Sequence, residues 1–299
     1  MWLFFTLATT LIWGAAELFY KKGALPEEKY AHLKTCIFVG LVMGIHAVYV
    51  LITGDINYSF KNLLLYLPVS LCYIISMAFS YFGMRFIEES ISDPIENTSG
   101  AMCALLCVVF LKEQLSLLAV IAILLIVTGI LGVGFLEKRG DTDRRKKLGK
   151  KMAFIAFLMP FLYALLDAVG SFLDIFYLEL ETSPLTDVTE DNIEMVANTS
   201  YELTFLLVAI VLFIFLKIKK VKLDIPRQRD KMLAAVFETM GQFTYVFAMS
   251  GNGAIAAPII SSVCIVSLLL SRIFLKEKLS KLQYAFIALV CLGILLLAD

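Results

Sequence analysis

Ten stretches of mostly apolar residues follow one another along the chain, at 2–20, 35–53, 62–84, 93–111, 117–136, 152–177, 201–216, 232–249, 254–275 and 282–298. A helix needs about 20 such residues to cross the hydrocarbon core of a bilayer. The pattern therefore predicts ten transmembrane helices and leaves little chain for a soluble domain. The first stretch has no basic residues ahead of it, and Glu17, Lys21 and Lys22 stand where a small-residue cleavage site would be. It reads as a retained helix and not as a secretory signal.

Apolar residues fill 60% of the 299 positions, and mean hydropathy is +0.85. Soluble domains run nearer 45–50% apolar, so a water-soluble core cannot absorb the excess. The zero net charge conceals an asymmetry between alternate loops. Lys21, Lys22, Lys29, Lys34, Arg85, eight bases in 138–151, seven in 217–231, and Arg272, Lys276, Lys278 and Lys281 fall on one face. Only Lys61 and Lys112 remain for the other, where the connector 178–200 is acidic and contains no base. The positive-inside rule makes the basic face cytoplasmic and puts both termini outside.

The chain repeats itself. Phe110-Leu-Lys-Glu-Gln-Leu-Ser116 matches Phe274-Leu-Lys-Glu-Lys-Leu-Ser280 at six of seven positions, an offset of 164 that also pairs Pro94 with Pro258 and Gly129 with Gly293. At an offset of 150, Trp13-Gly-Ala-Ala-Glu17 aligns with Tyr163-Ala-Leu-Leu-Asp167. The expected organisation is a first repeat over 1–137, a basic cytoplasmic linker over 138–151 and a second repeat over 152–299. An odd number of helices per repeat forces the second copy to enter the membrane inverted. The expected fold is thus an all-α integral membrane protein, ten transmembrane helices forming two inverted five-helix repeats around a central cavity. Inverted repeats are a recurring architecture of secondary transporters.

Trp-Gly in the first helix, a proline opening helices 4 and 9, and the doubled Phe-Leu-Lys-Glu-x-Leu-Ser closing both resemble the drug/metabolite transporter superfamily, EamA-type. The resemblance covers essentially the whole chain. It implies a cavity lined by helices 1, 3, 4, 6, 8 and 9 and transport of amino acids, amines, choline or nucleotide sugars. It also implies cytoplasmic termini in many relatives, the reverse of the charge distribution here.

A carboxylate at the centre of a spanning helix costs roughly 2.5–3.5 kcal/mol on insertion scales, so each demands a partner, a wet cavity or a function. Tyr163, Asp167, Ser171 and Asp174 share one polar stripe of helix 6 at i, i+4, i+8 and i+11. Asp167, with no base in its own helix, is the first candidate for substrate or proton binding, against the reading of a protonated structural acid; Asp174 lies nearer the outer end. Glu238, Gln242 and Tyr245 form a second polar face on helix 8. Glu17 is a candidate too, although an i, i+4 pair with Lys21 also explains it. Asp93-Pro94-Ile95-Glu96 reads as a helix start, with Asp93 as cap and Glu96 reaching back, while Glu96 and Asn97 could instead face the cavity. Trp13, Tyr73, Tyr81, Tyr163 and Tyr245 supply ring faces.

Acids and rings without mid-span bases suit a cationic or zwitterionic solute and poorly suit a phosphorylated one. The expected function is secondary-active transport, export or uptake, of an amine, amino acid or choline-like or drug-like cation, with proton coupling possible. The alternatives are a nucleotide-sugar or phosphorylated-metabolite antiporter and, from another class, a membrane scaffold or sensor subunit. Enzyme activity is disfavoured, since no nucleophile–base pair, phosphate-cradling loop or metal-ligand spacing occurs. No cofactor is implied, nor a nucleic-acid partner; the partners expected are a small solute and the lipid bilayer of the cell membrane.

Three further features read as structural. All six cysteines lie in or beside apolar spans as packing residues, and His46, with no second His or Cys near it at a ligand spacing, reads as a satisfied packing residue, against the alternative of a proton carrier. Gly40 and Gly44, with Gly129, Gly132 and Gly134, favour close helix contact within a monomer or across a weak homodimer. Asn57-Tyr58-Ser59 and Asn198-Thr199-Ser200 are sequons on the expected outer face.

Overall fold

In the computed structural model the described residues are 1–25, 27–54, 56–86, 89–137, 150–274 and 280–298. Most of the basic linker 138–151 and the second copy of the Phe-Leu-Lys-Glu motif lie outside them. Among the described residues the structure is helical, without strands. The helices are α1 (Trp2–Gly23), α2 (Ala31–Thr53), α3 (Lys61–Leu65), α4 (Leu67–Gly83), α5 (Glu89–Glu96), α6 (Ser99–Leu106, extended by a π turn Cys107–Leu111) and α7 (Leu117–Glu137). After the linker come α8 (Lys150–Leu178), α9 (Ile193–Ile218), α10 (Arg229–Ile260), α11 (Val263–Phe274) and α12 (Lys281–Ala298).

Six segments of the described chain are long and apolar enough to cross a membrane: Trp2–Gly23, Ala31–Thr53, Ser92–Leu111, Phe154–Leu178, Ile193–Ile218 and Ile225–Ile260. Four shorter apolar helices accompany them, at Leu67–Gly83, Leu117–Val133, Val263–Phe274 and Lys281–Leu297.

Several boundaries differ from the hydropathy reading. Helix α9 begins at Ile193 and not near 201, because Asn198, Thr199, Ser200 and Glu202 are buried against protein. The sequon at Asn198 is therefore inside a helix and 1% exposed. Asp93 is no N-cap: α5 starts at Glu89, Pro94 lies within it, and Glu96 is its last residue. The stretches expected at 232–249 and 254–275 run together through α10, which kinks at Asn252 (φ −166°, ψ 68°) and ends at Ile260.

The duplication reaches individual hydrogen bonds. Helix α5 stops at Glu96 and α6 restarts at Ser99; α10 stops at Ile260 and α11 restarts at Val263. At the first break Asn97 N bonds Asp93 O (2.8 Å), Thr98 N bonds Ile95 O (3.1 Å) and Thr98 Oγ1 bonds the same carbonyl (2.7 Å). At the second, 164 positions on, Ser261 N bonds Ala257 O (3.0 Å), Ser262 N bonds Ile259 O (2.9 Å) and Ser262 Oγ again takes that carbonyl (2.6 Å). The hydroxyl at the break adds a second hydrogen bond to a carbonyl that already accepts from a backbone amide, taking up its remaining lone pair in apolar surroundings.

Packing has the same symmetry. Helix α1 packs along α10 as α8 packs along α4, while α2 pairs with α9 and α7 with α12. The glycines serve these contacts inside the chain. A Cβ on Gly40 would stand 2.4 Å from Phe205 O, and one on Gly129 would stand 2.4 Å from Val290 Cγ2. All six cysteines are free thiols; Cys36, Cys103 and Cys107 are buried.

Candidate functional site

Where α1, α4, α5, α6, α8, α10 and α11 converge, with Tyr201 of α9, they leave a cavity of about 120 Å³. At about 10–15 Å³ of such volume per water, it has room for several water-sized groups. The lining residues of α1, and those of α4 apart from Tyr73, fall in the C-terminal halves of these helices, toward the end where Lys22 and Arg85 lie, while Asp167 and Ser171 of α8 and Gln242 and Tyr245 of α10 stand near mid-helix.

Trp13, Glu17, Tyr73, Tyr81, Glu96, Asn97, Tyr163, Asp167, Glu238, Gln242 and Tyr245 all line it. Asp174 does not. It is fully buried, its carboxyl bonded by the Tyr66 hydroxyl. It shares the polar stripe of Asp167, but seven residues further along α8 place it about 10 Å deeper, behind the hydroxyls of Tyr73, Tyr245 and Ser171.

Those three hydroxyls form one cluster. Tyr73 and Tyr245 share a 2.6 Å bond, and Ser171 Oγ lies 3.0 Å from the Tyr245 hydroxyl and 3.3 Å from that of Tyr73, where it accepts from whichever tyrosine does not donate to the other. A second cluster lies two turns along α4, where Tyr81 donates to Tyr20 (2.8 Å) and Tyr20 donates to Glu238 Oε2 (3.3 Å). Ser80 donates to Glu96 (2.7 Å), and the hydroxyls of Ser99 and Tyr163 stand beside the Asp167 carboxyl. Trp13 anchors one wall: its Nε1 donates to the Glu238 carbonyl (3.2 Å), and its ring packs at 5.0 Å on that of Tyr245. Gly241 makes this possible, since a Cβ there would come within 2.3 Å of the indole.

Asp93, expected as a cap, also faces the chamber, so five carboxylates line it: Glu17, Asp93, Glu96, Asp167 and Glu238. Among the described residues the lining contains no Lys, Arg or His, and no group of three or more His, Cys, Asp or Glu is placed to hold a metal ion. The residues not anticipated are chiefly Tyr20, Ser80, Ser99 and Tyr201. Tyr20 had a signal, because it stands three residues after Glu17 and seven after Trp13 on one helical face. Tyr201 carries none, because the hydropathy pattern puts the start of this helix at that very position.

The EamA-like transporter family matches residues 1–135 and 184–298. The match covers most of the chain, which therefore belongs to that family and is a multi-pass membrane protein of the transporter type. No curated protein matches the sequence. Among solved structures, a crystal structure superposes with a TM-score of 0.72 at 12% identity, covering 99% of this chain and 95% of that one. At that identity the likeness establishes the fold alone.

Proposed function

We propose that this member of the EamA-like transporter family carries a small cationic or zwitterionic metabolite across the membrane by secondary-active alternating access, in exchange for protons. One observation carries the reading: the chamber holds five carboxylates and several aromatic faces and, among the described residues, no basic side chain. An ammonium group entering it meets Asp167 and Glu238 for charge and Trp13, Tyr81 and Tyr245 for cation–π contact. The same carboxylates accept a proton once the cation leaves, which makes exchange of one for the other the natural cycle. A phosphorylated or nucleotide-sugar solute would need Arg or Lys in the lining.

The transport cycle in this reading uses two five-helix halves, 1–137 and 152–299, inverted about a pseudo-two-fold axis. The matching helix breaks at Asn97 and Ser261 and the exchange-symmetric packing support it. With the basic face cytoplasmic and the termini outside, the chamber opens inward, and the Tyr73–Tyr245–Ser171 cluster is its closed outer gate.

Counterflow in proteoliposomes tests the proposal. Labelled choline, spermidine and lysine are offered to vesicles preloaded with the same unlabelled compound. At least one accumulates transiently, and Asp167→Asn abolishes the accumulation. Exchange of a nucleotide sugar and of none of the amines would refute it.

A further inference from the structure

A second buried carboxylate lies outside the chamber. Glu202, in the tenth position of α9, is 0% exposed, and the His46 imidazole of α2 meets both its oxygens, Nδ1 to Oε2 at 2.8 Å and to Oε1 at 2.9 Å. The packing residue expected at His46 is thus satisfied by a buried carboxylate. Its partner is 156 positions away, and Gly40 and Gly44 bring the helices close enough for the two to meet. Asn198, one turn earlier on α9, stands beside Glu202.

Among the described residues no Lys, Arg or second acid pairs with either group. The other titratable group facing Glu202 is Tyr201 on the same helix, whose hydroxyl turns to Met77 Sδ (3.4 Å). From α10 the neighbour is the uncharged Phe243, its ring edge-on to the imidazole at 5.8 Å.

A permanent ionic lock at membrane depth calls for Arg or Lys. Histidine is instead the side chain whose charge ordinarily changes between about pH 5 and 8. One proton sets the net charge here: with it the pair is neutral, and without it a lone negative charge stands among apolar helices, an expensive arrangement. The imidazole side chain is 29% exposed and that of Glu202 not at all, so a proton that reaches the pair does so by way of His46. The contact leads onward to α10. Phe243 sits between Gln242, which lines the chamber, and Thr244, which bonds Thr9 of α1 at 2.7 Å.

We propose that His46 and Glu202 form a proton-binding site, separate from the solute chamber, whose occupancy sets the position of α10. The idea stands apart from the solute reading, because it requires no solute to be tested.

The chain has two tryptophans, and both report on α10: Trp13 packs on Gly241 and Trp2 on Gly251. Their emission is followed from pH 5 to 8 in the full-length protein in lipid nanodiscs. The expected result is a single pH-dependent shift, retained in His32→Gln, Asp167→Asn and Glu238→Gln and lost in His46→Gln and Glu202→Gln. As a check that needs no new folding, carbethoxylation of His46 in folded His32→Gln protein also removes the shift. A flat native titration, a shift that survives His46→Gln or carbethoxylation, or one lost in Asp167→Asn overturns the proposal.

Discussion

Tyr73 and Tyr245 stand 172 positions apart in the chain and share a hydroxyl–hydroxyl hydrogen bond of 2.6 Å, both side chains buried. The bond joins α4 to α10 between the chamber and buried Asp174. A buried hydrogen bond contributes about 0.5–1.5 kcal/mol net. Tyr73→Phe and Tyr245→Phe should each lower unfolding stability by about 1 kcal/mol, and the double variant should lose less than the sum, since both changes delete one shared bond. Strict additivity in detergent unfolding would mean that the two hydroxyls do not interact.

Helices α6 and α10 cross at Gly100, where the amide donates to Ser261 Oγ (3.1 Å) and an added Cβ would stand 2.3 Å from the Ala257 carbonyl oxygen. Backbone cannot step aside as a side-chain tip can. Gly100→Ala should cost about 1–3 kcal/mol by overpacking, read as a lowered Tm. Gly83→Ala, whose Cβ would meet only Met159 Cβ at 3.5 Å, should leave Tm unchanged.

At the basic end of the bundle Glu28 ties the α1–α2 loop to the second half of the chain. Burial raises its pKa, but the ion pair with Lys34, the nearby Lys231 and the Gln228 amide outweigh this and hold the carboxyl below its ordinary value of 4.5. With the folded value depressed, the unfolded chain binds the extra proton. The stabilisation is therefore fully present above about pH 4.5 and disappears as pH falls through the folded value. The stability difference between native protein and Glu28→Gln should be constant near neutrality and shrink on acidification below that point. A difference that grows on acidification would reverse the sign of the argument.

How much of this was legible in the chain depends on distance along it. The apolar stretches and the polar faces of α8 and α10 are local periodicities, and eleven of the twelve candidate residues line the chamber. Depth was harder, as Asp174 shows: it has the right face and the wrong level. Pro94 suggested a helix start because proline favours that position, yet spanning helices tolerate internal proline when neighbours satisfy the freed carbonyls. The start of α9 was hidden because its polar residues hide from lipid against other helices, Ser200 on Tyr58 (2.9 Å) and Glu202 on His46. Such partners are set by tertiary packing, and no spacing rule reveals them.

The proposed orientation makes a topological prediction. Single cysteines are placed, in an otherwise cysteine-free chain, at exposed Glu190 in the acidic connector and at exposed Arg227 in the basic loop before α10. A membrane-impermeant maleimide applied to intact cells should label the first and label the second only after permeabilisation. Labelling of both from outside would contradict the charge-based orientation.

The central claim is an acidic, ring-lined chamber that recognises positive charge. Its most direct test is ligand-induced thermal stabilisation of the purified protein across amines, amino acids, choline-like compounds and nucleotides, in the native chain and in Asp167→Asn. The account predicts a raised Tm with one or more amine-bearing compounds, lost in Asp167→Asn, and no response to nucleotides. Stabilisation by nucleotides alone, or amine stabilisation undiminished by Asp167→Asn, would contradict it.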